Sequence, residues 1–143
     1  SFDILFVLEQ KHFKDKEDLI SWIFDTEFEE ACKENSRIID ALIKYFYENK
    51  SFYKKVLKEE GQNSFSDHLY SFCCALMEDT FKNELGIKEL NRFQIGFFAD
   101  GFVCTIKRWM TSYNAQSPDE LARQINESFP LSHNLKNEEK ALA

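Results

Sequence analysis

The groups in this chain that could do chemistry are three histidines, four cysteines and a few adjacent carboxylates, and their spacing argues against catalysis. A histidine acts as general base only with a nucleophile and an orienting carboxylate within reach. His12 sits in a basic turn, His68 follows Asp67 on a helical stretch, and His133 lies in a polar tail, with no nucleophile motif near any of them. Glu29-Glu30 and Glu59-Glu60 are neighbours in sequence, so on a helix they point in different directions and read as solvated surface. Cys32, Cys73, Cys74 and Cys104 form neither a CxxC pair nor a zinc spacing with histidine; they read as reduced thiols packed inside helices. No phosphate-binding glycine loop, HExxH or calcium-loop pattern occurs. The two glycines of GFFADGF, residues 96–102, read as close helix packing rather than ligand contact. The expectation is a non-enzyme with no cofactor and no metal.

A different cluster asks for a binding partner. KHFKDKEDLISWIF, residues 11–24, gathers Lys11, His12, Lys14 and Lys16 just ahead of an amphipathic helix, in a chain whose net charge is −7. That balance argues against the whole chain wrapping nucleic acid, because such a surface must neutralise phosphates. It leaves room for a small basic patch that docks at one end. On the residues alone, a solvated turn is the simpler explanation of Lys14 and Lys16.

The elements that must carry these residues are helical. The chain has 143 residues, 43% hydrophobic and with fifteen Phe, but only four Gly and two Pro. That is one domain's worth of core and little material for β turns. Asp15 caps a first helix that runs to about Glu34, with Ile20, Ile23, Phe24, Phe28, Ala31 and Cys32 on one face. A second begins at Asn35-Ser36 and fades near Asn49-Lys50, with Ile39, Leu42, Ile43 and Phe46 inward. A short third spans Ser51–Glu60, with Phe52, Val56 and Leu57 inward and Gly61 as its stop. Ser64 and Asp67 open a fourth that ends near Leu85. The fifth runs from about Lys88 to Tyr113, and its apolar residues wrap more than one face, as on a helix covered on two sides. Ser117, Pro118 and Glu120 start the sixth, with Leu121, Ala122, Ile125 and Phe129 as its apolar stripe, before Pro130 and a polar tail. The expected fold is an all-α bundle of about six helices. No apolar run is long enough to span a membrane, and the opening SFDILFVLEQ lacks the marks of a signal peptide. The reduced thiols fit a cytoplasmic setting.

HFKDKEDL, residues 12–19, resembles the junction in the TetR family of bacterial transcriptional regulators where the helix-turn-helix headpiece meets the ligand-binding body. FFADGFVCTIKRWMTSYNAQSPDELARQI, residues 97–125, is similar to the last two helices of one subgroup, as FYKKVLKEEGQNSFSDHL, residues 52–69, is to its middle. That subgroup includes regulators similar to those of dihydroxyacetone kinase operons. The resemblance covers most of residues 12–129. It implies that residues 1–14 are the remnant of a DNA-binding headpiece largely missing from this sequence, that 15–130 form a ligand-binding and dimerisation domain, and that 131–143 are a polar tail. Gln10 stands where the family pattern expects an aromatic residue.

The resemblance also assigns roles. His12, Lys14 and Lys16 would hold DNA phosphates, Lys16 with help from a helix start. Trp22, Phe72, Cys73, Met77 and Phe98 would wall an effector pocket. Phe102, Ile106, Trp109, Met110, Leu121 and Ile125 would meet a second copy in a homodimer. The partners implied are operator DNA, reached through the headpiece, and a small-molecule effector that modulates DNA binding. The competing reading is a helical protein-interaction module, an adaptor or co-regulator that touches no DNA itself.

Overall fold

A computed structural model describes residues 15–33, 37–58, 64–79, 82–83 and 91–128. These residues hold six α-helices and no strand: α1 (Lys16–Cys32), α2 (Ile38–Glu48), α3 (Lys50–Val56), α4 (Phe65–Asp79), α5 (Arg92–Thr111) and α6 (Pro118–Ser128). The expected all-α class holds. His12, Lys14, Gly61, Leu85 and Phe129 lie outside the described residues.

The helix starts follow their capping chemistry. Asp15 is extended, and its carboxylate accepts from the Asp18 backbone N–H at 2.8 Å, with Glu17 and Asp18 facing the positive end of the dipole. Ser64 Oγ accepts from Asp67 N at 3.4 Å, and Ser117 Oγ from Glu120 N at 3.2 Å. Glu120 does not close a reciprocal box; its carboxylate is held by Arg123. Helix α5 starts at a cap the sequence reading passed over, Asn91, whose side chain accepts from Gln94 N at 3.1 Å. Asn49 ends α2 and begins α3, its amide bonded back to the Tyr45 carbonyl.

Cross-helix contacts fix the topology. Phe46 stacks near Phe24 while Tyr45 reaches the later residues Glu27 and Phe28, so α1 and α2 run antiparallel. The Phe65 backbone N–H donates to the Glu17 carboxylate at 3.1 Å, and Phe72 lies edge-on to Phe24 and Phe28, which makes α4 parallel to α1. Arg92 bonds Glu78, turning α5 back along α4, its most extensive neighbour. Helix α6 packs mainly on α2, and Asn126 bonds Asp40 at 3.3 Å. One end of the bundle therefore collects the starts of α1, α4 and α6, the ends of α2 and α5, and the short α3 between them.

Phe24 is the centre of the core. Fully buried, it has ring neighbours from four helices: Phe28, Tyr45, Phe46, Tyr53, Phe65, His68 and Phe72, with centroids 5.3 to 6.4 Å away. Edge-on and offset pairs of this kind each add about 0.5–1.5 kcal/mol beyond area burial. The glycine reading separates into two cases. A Cβ on Gly96 would come within 2.8 Å of Tyr70 Oη, so Gly96 does serve close packing of α5 on α4, whereas a Cβ on Gly101 meets nothing within 4 Å among the described residues. The cysteine reading needs one correction. Cys73 is buried and Cys32 and Cys74 are half-buried, but Cys104 is exposed. It follows the buried Val103, and one residue of helix turns it out of the core.

Candidate functional site

Two features of the bundle have chemistry worth building up: a polar chain inside the aromatic core, and the outer face of α5. The polar chain joins α1, α2 and α3. Tyr45 Oη donates to Glu27 Oε2 at 2.8 Å, which leaves its lone pairs to accept from Tyr53 Oη. Burial pushes both phenols well above the ordinary tyrosine range, and the nearby Glu27 carboxylate pushes the same way. Beside it, His68 Nε2 lies 2.8 Å from Asp25 Oδ1, tying α4 to α1, with the imidazole edge-on to Phe24. These groups satisfy one another. A base–carboxylate pair is present, but no hydrogen bond joins His68 to a serine or cysteine hydroxyl or thiol among the described residues.

Tyr45 and Tyr53 were not among the residues read as inward from the sequence. In the run Tyr45-Phe46-Tyr47, two adjacent rings are buried and the third is 53% exposed, so periodicity alone could not select between them. Tyr47 instead covers Trp109 from outside, ring centroids 6.1 Å apart.

The residues expected to wall an effector pocket do not share one surface. Phe72 and Cys73 belong to the main core, and burial pushes the Cys73 thiol up to about 12. Met77 is buried one turn further along α4. Trp22 packs instead with Leu19 and Ile23 in a separate small cluster on α1. Phe98 is half-buried, its ring edge-on to Phe97.

The residues expected at a dimer interface are divided in a different way. Ile106, Trp109, Met110 and Leu121 are all part of this chain's own core. The Trp109 indole N–H donates to the Gln116 carbonyl at 2.8 Å, which closes the turn into α6. Phe102 and Ile125 are half-buried against the same core. The apolar surface that α5 leaves uncovered is one turn away from these. Phe93 and Phe97 are 80% and 64% exposed, stacked at 6.2 Å, and lead along the same face to Gly101 and the exposed Cys104. The signal for this face was in the sequence as an α5 apolar on two sides. The side facing inward needed the fold. Of the residues expected to meet DNA, Lys16 is the exposed first residue of α1, and His12 and Lys14 lie outside the described residues.

With this geometry in hand, the comparison with known families is decisive for class. Residues 33–130 match the family model described as the transcriptional regulator C-terminal region of TetR type. The chain belongs to the TetR family. The match covers α2 to α6 and agrees, at the level of the family, with the TetR resemblance read from the sequence. Neither the curated proteins nor the solved structures give a match to this chain. The chain is thus a TetR-type transcriptional regulator by its C-terminal region. No helix among the described residues is long and apolar enough to cross a membrane.

Proposed function

We propose that residues 15–130 are the effector-binding and dimerisation domain of a DNA-binding regulator, and that a small molecule bound to this domain changes how the protein holds its operator. Residues 1–14 are the end of a helix-turn-helix headpiece, 131–143 are a polar tail, and the protein works in the cytoplasm. His12, Lys14 and Lys16 fix the headpiece on DNA phosphates and carry no operator choice of their own. The subgroup suggested by residues 52–69 and 97–125 is that of dihydroxyacetone kinase operon regulators.

The observation that carries the dimer is Gly101. A glycine in mid-helix costs about 1 kcal/mol relative to alanine, and among the described residues nothing outside its own stretch of helix comes within 4 Å of the place its Cβ would fill. Close approach by a helix of another chain gives that glycine a role. Phe93 and Phe97, on the same face, supply the apolar area that such a contact would bury. A second copy meeting this one along α5 accounts for both, with Phe102 and Ile125 at its edge.

The test is sedimentation of Phe93→Glu with Phe97→Glu, both exposed positions whose exchange leaves the core intact. The expected result is a folded monomer where the parent is a dimer, together with lost retardation of promoter fragments by the full natural protein. A double variant that remains dimeric refutes the interface. A full natural protein that shifts no promoter fragment at any salt concentration refutes the regulator and leaves the interaction module.

A further inference from the structure

Between α3 and the end of α5 lies a groove of about 280 Å³, rimmed by Lys54, Lys58, Lys107 and Arg108 and floored by Leu57 and Met110. It opens at the end of the bundle where α1 begins. Cations converge here in a chain whose net charge is −7. Elsewhere, Lys33, Lys44, Arg92 and Arg123 each lie against a carboxylate. Among the described residues no carboxylate lines the groove; Glu59 and Glu60, which follow Lys58, are outside them. Lys54 in the last turn of α3 and Lys58 just beyond it bring like charges to one rim, opposite Lys107 and Arg108 of α5, with no carboxylate between them among the described residues.

Helix ends explain only part of this. Lys54 and Arg108 lie in last turns, where cations suit the dipole. The carbonyls that would use them on α5 are already served. Thr111 Oγ1 donates to the Lys107 and Arg108 carbonyls at 3.0 and 3.2 Å, and Ser112 Oγ donates to the Arg108 carbonyl at 2.8 Å. Each dipole end brings about half a negative charge, against four full positive ones.

We infer that this groove binds a small oxyanion, a phosphorylated or multiply carboxylated molecule whose carbon body rests on Leu57 and Met110. Charge-assisted bonds from the guanidinium and three ammonium groups hold the anionic end. A concave site with an apolar floor suits a small ligand better than a DNA backbone, which runs over open surface. Only the regulatory meaning rests on the effector reading above; binding itself does not.

The experiment is calorimetric titration of the chain with pyrophosphate and with citrate, at ionic strength held constant by chloride. Duplex DNA of arbitrary sequence forms a separate arm. The expected result is saturable binding of pyrophosphate or citrate, weakened about tenfold or more by Lys54→Gln with Lys58→Gln, and equally by Lys107→Gln with Arg108→Gln. These side chains are mostly exposed, and circular dichroism checks that both pairs fold. Binding that survives either pair, or heat no greater than chloride gives, overturns the site. So does DNA binding through these cations without small-anion binding. Neither operator nor dimer enters the measurement, so its failure is separate from failure of the regulator reading.

Discussion

Replacing Gly101 with alanine separates what α5 does inside one chain from what it does between two. Among the described residues the added methyl meets nothing within 4 Å, so the bundle they form accommodates it without strain. Alanine removes a helix-propensity deficit of about 0.8–1.0 kcal/mol, which for a domain of this size corresponds to on the order of 4 °C in melting temperature. The single chain should therefore become more stable. If another copy packs its backbone against this position, the same methyl pushes the two helices apart and association weakens. Two readings of opposite sign follow. Melting at high dilution should rise, and the dimer dissociation constant from sedimentation equilibrium should rise too, more steeply with Gly101→Leu. A melting temperature that falls at dilution refutes the open space around Gly101. Association unchanged even in Gly101→Leu refutes close approach there. Gly96→Ala is the internal control: its Cβ would sit 2.8 Å from Tyr70 Oη, so it should gain little or lose stability at every concentration.

Three further outcomes are expected. Phe24→Ala should cost about 3–5 kcal/mol in denaturant unfolding, because seven ring neighbours lose a common partner; a loss below about 1 kcal/mol would show that the cluster collapses freely around the gap. Tyr45 and Tyr53 keep their protons in the folded chain to higher pH than in the unfolded one, where phenols titrate near 10. Above about pH 10 the unfolded state thus binds fewer protons, so stability present below that pH falls as pH rises, and Tyr53→Phe should flatten the alkaline limb of a stability–pH curve. In native alkylation at low protein concentration, the exposed Cys104 should label first and Cys73, whose thiol burial pushes up to about 12, should label only on unfolding; early modification of Cys73 by peptide mapping would contradict its placement.

The fold was largely legible because capping and periodicity act locally. Asp15, Ser64 and Ser117 announce helix starts through side chains that bond three residues onward, and the structure uses all three. The position of α3 was less legible. Phe52 was expected inward and is half-buried, while the residue fully buried beside it is Tyr53, which packs on Phe24, Phe46 and Phe65 and hydrogen-bonds Tyr45, eight residues away on another helix. The expected interface shows the same limit. Periodicity finds that α5 is apolar on two sides, but which side meets the chain's own core depends on where α2, α4 and α6 lie. Trp109, Met110 and Ile106 turned inward, and Phe93 and Phe97 outward. The groove cations are 49 or more residues apart in sequence between α3 and α5, so no local pattern joins them.

The aromatic hub has a consequence for how this domain tolerates change. Because Phe24 is the shared neighbour of side chains from α1, α2, α3 and α4, substitutions at Phe46, Tyr53, Phe65 and Phe72 are not independent events. Pairs among them should depart from simple addition by about 0.5–3 kcal/mol. A change of ring volume at one of these positions should therefore be tolerated better when a neighbour in the cluster changes with it than when it is made alone.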